Sequence, residues 1–464
     1  MTAKLPDFVI PKVEISEELI RRFDALGPRY TSYPTADRFN EKFTELSYFK
    51  YLEQQTTAPL SIYVHLPFCA SICYYCGCNK IITKDHGRSA KYLRYLEKEM
   101  EMVTSHLKGA RKAVQLHLGG GTPTFLSEEE LRELMRMLRK HFDFSLEAEL
   151  SIEIDPRSVT PNMLSMLAGL GFNRTSLGVQ DFDEAVQKAV NRIQPVEMVE
   201  HAITASRAAG FLSVNFDLIY GLPKQNLLSF DKTLDEVIRL SPDRIALYNY
   251  AHLPTRFKPQ RRIEESDLPS AEERLQIFMM SLRKLLDAGY VYIGLDHFAK
   301  PDDELTHAQA NKTLHRNFQG YTTHAECDLL GLGVSSISKM GNSYSQSLST
   351  LDTYYERLDA GQLPVKRGFE LSTDDVLRRK IIMSFMCCEP VNFAAINASY
   401  GIDFAHYFAE ELSKLLPYQE AGLIVINANS ITVTSKGRMF VRAVGMVFDR
   451  YLQQATTAQY SKLI

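Results

Sequence analysis

The 464-residue chain has no uninterrupted apolar stretch approaching the roughly 20 residues that cross a bilayer, which leaves no candidate membrane-spanning helix. Nor does it open on a positively charged segment followed by an apolar run, so the expectation is a cytoplasmic protein with reduced thiols. Charge of one sign is not in excess. With 53 basic and 56 acidic residues the formal charge is -3, which gives no global attraction for nucleic acid or an anionic membrane. Internal repeats and low-complexity tracts are absent as well. The expected partners are therefore small molecules, with no nucleic acid and no membrane. What the chain does have is apolar residues, 45% of the total, enough to bury a large core in a principal domain of barrel size with additions.

Short apolar or alternating runs recur with helical segments between them. Ser61–Leu66, Ala113–Leu118, Glu149–Ile154, Arg174–Val179, Ser213–Tyr220 and Arg244–Tyr250 read as strands. Between the second and third, Ser127 and Glu130 form a capping box, and Leu131, Leu134, Met135 and Leu138 fall on one helical face. In the next connection Thr160 caps, Pro161 suits the first helical position and Gly171 ends the turn. Alternating β and α units imply an α/β fold with a parallel sheet and right-handed crossovers. Six units predict a partial (β/α)6 barrel, with chemistry gathered where strands end, and a doubly wound sheet is the alternative. Domains are expected at 1–50 (an N-terminal arm), 51–365 (catalytic) and 366–464 (mainly helical with a small hairpin).

The strand ends carry the unusual residues. The first strand runs into "HLPFCASICYYCGCNK", which holds four of the seven cysteines, Cys69, Cys73, Cys76 and Cys78, and the second runs into Gly119, Gly120 and Gly121. Four thiolates could close a tetrahedral zinc site; three could hold an iron-sulfur cubane with one iron open for chemistry. Spacing alone leaves both. A tight turn explains one or two consecutive glycines, and three imply that something approaches the backbone closely. The loop has no G-x-G-x-x-G or Walker lysine pattern, which removes the usual support for a nicotinamide or nucleoside triphosphate site.

C-x-x-x-C-x-x-C with Tyr75 before the last cysteine, followed one strand later by three glycines, resembles the radical S-adenosylmethionine (SAM) superfamily. Read further, "GPRYTSYPTADRF", "YVHLPFC", "CGCNK", "LHLGGGTPT", "SIEIDPR", "NFDLIYGLPKQ", "HRNFQGYTT" and "DLLGLGVSSIS" resemble the oxygen-independent coproporphyrinogen III oxidase family. The similarity runs from about Gly27 to the C-terminus. "CGCNK" and "HRNFQGYTT" are the specific blocks, since haem-chaperone paralogues share the three-cysteine motif but typically lack them.

The resemblance implies a radical SAM barrel in which Cys69, Cys73 and Cys76 ligate a 4Fe-4S cluster and one SAM occupies the open iron. Tyr63, Gly120, Glu153 and Ile337 match contacts to that SAM. Tyr75, Gly121, Thr122, Gln180, Arg192, Asp217 and Ala251 match contacts to a second SAM. Cys78 would not be a ligand but would be needed for activity, and Cys78 and Tyr63 are the expected catalytic residues. Tyr75 departs from the family, where phenylalanine is usual. The implied reaction is anaerobic oxidative decarboxylation of two propionates of coproporphyrinogen III to vinyl groups through a 5'-deoxyadenosyl radical, giving protoporphyrinogen IX. An electron donor such as flavodoxin or ferredoxin and a monomeric state are expected with it.

Duller readings stand beside these. Glu153 and Asp217 could cap the next helices, Arg192 could be a solvated helix-end charge, Gln180 could hold a loop and Tyr63 could be core. Arginines suit the carboxylates of a tetrapyrrole, and Arg29, Arg256, Arg261, Arg262 and Arg316 are candidates. The arm and the C-terminal region are expected to cover the cavity. The hairpin around "NANS" also allows a winged-helix reading, but "TSKGR" is too short a basic run to support nucleic-acid binding. Cys327, Cys387 and Cys388 read as buried apolar residues. A haem-binding chaperone and a zinc-stapled binding protein are the alternative functions.

Overall fold

The computed structural model describes residues 17–23, 27–325 and 327–452; residues 1–16 and 24–26 of the expected arm lie outside the described residues. The chain divides into two compact units, one spanning 38–288 with 324–371 and the other spanning 1–37, 289–323 and 372–464.

In the first unit six strands lie side by side in chain order: β1 Leu60–Leu66, β2 Ala113–Gly120, β3 Phe144–Ile154, β4 Arg174–Gln180, β5 Ser213–Tyr220 and β6 Arg244–Asn249. Each is parallel to the next. A doubly wound sheet needs a reversal of strand order, and among these six strands there is none. The other edge of β1 pairs in parallel with β7 Asp328–Leu332, and β8 Ile337–Met340, β9 Ser343–Ser347 and β10 Val365–Glu370 continue the sheet antiparallel. The sequence reading stopped at the sixth strand. β8 and β9 carry no alternating apolar signal because inward positions on them are polar, with Ser338, Ser343 and Ser345 all buried, whereas β7 is a short, wholly buried leucine-rich run.

The connections follow their caps. Among the helices are α1 His86–His106, α2 Glu128–His141, α3 Pro161–Gly169, α4 Val196–Ala209 and α5 Leu227–Leu240. The Ser127/Glu130 capping box of α2 forms in both directions, and Leu131, Leu134, Met135 and Leu138 are buried on its inner face. Thr160 accepts from Met163 N at the start of α3, and the chain turns at Gly171 with φ +94°.

The second unit is mainly helical. Among its elements are α6 Thr373–Met386, α7 Phe393–Tyr400 and α8 Ala409–Glu420, with an antiparallel hairpin of Ile424–Ile426 and Ser430–Val433. Phe385, Phe404, Phe408 and Phe448 form its core together with Tyr30 and Tyr33 of the arm. Tyr30 Oη donates to Asp449 Oδ2 at 3.0 Å, and Arg442 Nε donates to the Pro28 carbonyl at 3.0 Å. The arm and the C-terminal helices thus share one core. Of the three later cysteines only Cys387 is fully buried; Cys327 and Cys388 are half-buried, so the apolar reading holds best for the first.

One buried carboxyl joins α1 to the turn after β7. Glu99, 4% exposed, accepts from Gly333 N and from Tyr354 Oη, both at 2.7 Å. Burial pushes its pKa up to about 7, against the pull of those two donors. A carboxyl raised on folding stabilises the fold fully below its unfolded pKa, and that contribution is lost as pH rises through the folded value. Between pH 4.5 and pH 7.5 the group therefore removes about 3 kcal/mol of stability. Glu99→Gln, whose amide oxygen can still accept both donors, is expected to flatten that loss in urea titrations across the same pH range. An unchanged pH dependence in the variant would contradict the assignment.

Candidate active site

β1 is buried on both faces except at Tyr63. The Tyr63 hydroxyl lies 3.1 Å from His65 Nδ1, and His65 Nε2 lies 2.9 Å from the Asn79 carbonyl. A carbonyl only accepts, so the imidazole proton sits on Nε2 and Nδ1 accepts from the tyrosine. Burial holds His65 below its ordinary pKa, which keeps the ring neutral. The far end of the cysteine loop is thereby tied to the strand that launches it. A short parallel pair, Phe68–Cys69 with Ile81–Ile82, closes the loop.

All four loop cysteines are free thiols; Cys69 and Cys73 are buried, Cys76 is half-buried and Cys78 is exposed. Among the described residues no three of these sulfurs lie within 4.8 Å of one another. A closed zinc site would bring them to about 3.8 Å, given Zn–S bonds of about 2.3 Å in a tetrahedron. The wider span suits a cubane held at its corners. Burial pushes the Cys69 thiol up to about 11. A hydrogen bond with Cys78, helped by the Lys80 ammonium, draws Cys76 down to about 6. Cations also surround Cys73: Arg192 Nη1 donates to its sulfur at 3.5 Å and Arg157 Nη2 at 3.7 Å. The Asp155 carboxylate grips both guanidiniums, at 3.0 Å for Arg192 and 2.6 Å for Arg157. Arg192 is 7% exposed, so the solvated helix-end reading fails.

The glycine run packs on the cysteine loop. Gly121 N donates to the Leu66 carbonyl and Thr122 N to the Phe68 carbonyl, each at 2.8 Å, and Thr122 Oγ1 donates to Cys69 Sγ at 3.4 Å. A Cβ at Gly121 would stand 2.7 Å from the Pro67 carbonyl carbon; one at Gly120, where φ is +118°, would meet the His65 ring at 2.8 Å. At Gly119 it would meet the Glu153 carboxylate at 2.9 Å. What approaches these glycines is the protein itself. Backbone bars a side chain at Gly121 and the positive φ disfavours one at Gly120, while at Gly119 the nearest atoms belong to the Glu153 and Tyr63 side chains.

Glu153 accepts from Gly120 N at 3.1 Å and lies 3.3 Å from His117 Nε2, while His117 stacks on Tyr63 with centroids 5.8 Å apart. Burial raises its pKa, but the His117 hydrogen bond and charge and the Gly120 N–H outweigh it, so the carboxylate stays ionised. It caps no following helix; Asp155 does that instead, accepting from Arg157 N. Asp217 accepts from Ser176 Oγ at 2.7 Å and Asn215 Nδ2 at 2.9 Å. Burial pushes it up to about 6, with Glu153 adding to the rise, so the two carboxylates share one electrostatic environment.

Gln180 is buried at φ +68°, and its side chain and that of Arg192 both border the space above Gly178. Gln260 Nε2 bridges the Tyr75 carbonyl at 2.9 Å and the Ala251 carbonyl at 3.2 Å, joining the loop after β6 to the cysteine loop. Ile337 opens β8 with its backbone against Gly331, the β7 residue in register with Tyr63. All the expected site residues therefore fall in the first unit, on β1 to β5, on β8 or on the loops that follow β1, β2, β4 and β6. Sequence reasoning missed His65, His117, Asp155, Arg157 and Gln260 as site residues. The histidines stand in "YVHL" and "LHLGGG" and the ion pair in "EIDPR", but their partners lie far away in sequence.

The substrate-arginine candidates differ. Arg29 pairs with Asp296 at 2.5 Å. Arg256, Arg261 and Arg262 are exposed, the first over Phe257 and the last over Tyr74. Arg316 is 4% exposed, over the Tyr321 ring, and its Nε and Nη1 have no hydrogen-bond partner among the described residues.

Residues 63–237 match the family model described as the radical SAM superfamily, and residues 371–440 match that described as the HemN C-terminal domain. The chain is 51% identical over 451 residues to an oxygen-independent coproporphyrinogen III oxidase of Pseudomonas aeruginosa, covering 96% of this chain and 98% of that one. It is 45% identical to the protein of the same name from Escherichia coli, covering 98% of this chain and all of the other. The solved structure described as coproporphyrinogen III oxidase (HemN) from Escherichia coli, a radical SAM enzyme, superimposes with a TM-score of 0.91 at 44% identity, over 95% of this chain and 99% of that one. No helix among the described residues is long and apolar enough to cross a membrane.

The packing of the two loops gives a direct check. Gly121→Ala drives a methyl into backbone atoms that cannot rotate away, so iron and sulfide retained after anaerobic reconstitution should fall below half the wild-type value. Gly169→Ala, where a Cβ meets nothing within 4 Å, should leave both unchanged. Equal retention in the two variants would contradict the packing argument.

Proposed function

The chain belongs to the oxygen-independent coproporphyrinogen III oxidase family of radical SAM enzymes, and on that premise we propose how its residues carry out the reaction: anaerobic oxidative decarboxylation of two propionates of coproporphyrinogen III to vinyl groups, giving protoporphyrinogen IX for haem. The observation that carries the reading is the splayed set of Cys69, Cys73 and Cys76 beside the ionised Glu153 at one sheet rim.

The donor set fits the cofactors. Three thiols with one corner left over match a 4Fe-4S cluster, and Arg157, Arg192 and Lys80 offset the negative charge that thiolate ligation brings. When bound, the cluster and SAM supply the one-electron chemistry and the hydrogen-abstracting radical that no acid or base of ordinary pKa provides. Glu153, fixed by Gly120 N and His117, holds ribose hydroxyls as an ionised acceptor. Tyr63, Gly120 and Ile337 line the same SAM. Tyr75, Gly121, Thr122, Gln180, Arg192, Asp217 and Ala251 receive the second. Cys78, exposed at the loop's end, serves the substrate side together with Tyr63. His65 positions Tyr63.

Arg316 is our choice for a propionate. A buried guanidinium is normally paired, and two of its nitrogens have no partner, which supports an anionic ligand as the missing one. Arg29 is the weakest candidate, since Asp296 already neutralises it. An electron donor of the flavodoxin or ferredoxin class, a monomeric state and a cytoplasmic location complete the proposal.

Anaerobically reconstituted, reduced protein given SAM and coproporphyrinogen III should release 5'-deoxyadenosine and vinyl-bearing product together. Cys69→Ala, Cys73→Ala and Cys76→Ala should each abolish both products. SAM cleavage without decarboxylation would move the substrate elsewhere. In the same assay Arg316→Gln should raise the Michaelis constant for coproporphyrinogen at least tenfold with deoxyadenosine formation retained, consistent with losing about 1.4 kcal/mol or more of charge-assisted binding. An unchanged constant would remove Arg316 from the substrate site.

A further inference from the structure

Cys73 differs from the other two expected ligands in its surroundings. Cys69 receives a neutral hydroxyl from Thr122, and Cys76 has one cation beside it, the Lys80 ammonium, which donates to its carbonyl at 2.9 Å and also acts on its thiol. Two guanidiniums point at the Cys73 sulfur itself, Arg192 Nη1 at 3.5 Å and Arg157 Nη2 at 3.7 Å. Neither is loose. Arg157 closes a fork on Asp155, Nε to Oδ1 at 2.9 Å and Nη2 to Oδ2 at 2.6 Å, and its backbone N–H donates to the same carboxylate at 3.0 Å. Arg192 takes Oδ2 at 3.0 Å and donates to the Gly178 carbonyl at 2.6 Å. The side chains of Arg157, Asp155 and Arg192 are 20%, 11% and 8% exposed, so bulk water screens the arrangement weakly. Two positive charges against one negative leave the neighbourhood of this sulfur net positive.

We infer that Asp155 and Arg157 are positioning residues that set the reduction potential of the cluster through the Cys73 sulfur. Reduction adds one electron, supplied by the low-potential donor, and hence one negative charge beside these cations. Hydrogen bonds to the ligating sulfur and a net positive surround both favour the reduced form. Arg157 raises the potential, and the Asp155 carboxylate lowers it while holding both arginines in place. The inference rests on the proposed cluster. It assigns no substrate contact to Arg157, which separates it from Arg192, whose expected role toward SAM would confound a test.

The test is the midpoint potential of the full-length, reconstituted protein without SAM, followed by its visible spectrum during mediated titration, with iron and sulfide content matched to wild type. Arg157→Gln should lower the one-electron equilibrium constant for reduction roughly tenfold, which is about 59 mV downward. Asp155→Asn should move it upward, and Arg157→Lys, which keeps the charge, should stay within about threefold of wild type. Opposite signs for the Arg157→Gln and Asp155→Asn shifts are what a purely structural role would not produce. Shifts of the same sign, or none, overturn the inference. Should Arg157→Gln not retain iron, the sign of the Asp155→Asn shift decides alone. A wild-type protein that binds no reducible cluster would instead sink the proposed function, whereas a reducible cluster with unmoved potentials sinks only this inference.

Discussion

Two backbone hydrogen bonds, Gly121 N to the Leu66 carbonyl and Thr122 N to the Phe68 carbonyl, each 2.8 Å, seat the cysteine loop on the loop that follows the neighbouring strand. Everything at the rim depends on that seat. It requires a residue without a side chain at Gly121, because a Cβ there would stand only 2.7 Å from the Pro67 carbonyl carbon, and it brings Gly120 N within reach of Glu153. With the seat made, His65 ties Asn79 back to β1, and Tyr63 stacks on His117, which orients Glu153. Apart from the His65–Asn79 tie, each contact joins neighbouring parallel strands or the loops that follow them, so the sequential strand order brings these loops into one surface.

The charges divide that surface. Cationic groups gather around Cys73, where Asp155 holds two guanidiniums; the carboxylates Glu153 and Asp217 project from β3 and β5, and both histidines among them are committed by hydrogen bonds. Glu153 stays ionised because His117 and Gly120 compensate its burial, while Asp217 is raised because Ser176 and Asn215 compensate less and Glu153 opposes it. A thiolate-bound cluster is favoured where the guanidiniums are, and hydroxyl donors where the carboxylates are.

Much of this was legible before any coordinates. Strand Ser213–Tyr220 begins and ends where its alternating pattern does, and α2 starts at its capping box, because each signal is local. The cysteines, the three glycines and the acidic strand ends identified the rim through the same locality. Residues whose meaning depends on distant partners were not legible. His117 matters through Glu153 on the next strand, Arg157 through Cys73 in an earlier loop, and Gln260 through Tyr75 in that same loop. Strands β8 and β9 escaped because buried serines hide the apolar period, and for Arg192 it is burial that removes the solvated-charge alternative to the expected site role. Spacing along the chain leaves zinc and cubane sites open, and it is the membership of the radical SAM superfamily that separates them.

The central claim is that three loop cysteines hold a cluster whose remaining iron is open to SAM. Mössbauer spectra of protein reconstituted anaerobically with isotopically enriched iron, recorded before and after SAM is added, test it most directly. The account predicts that SAM shifts the parameters of a single iron and leaves the rest unaltered, and that Cys78→Ala leaves the SAM-free spectrum as it was. A cluster whose irons are all indifferent to SAM, or one lost with Cys78, would contradict it.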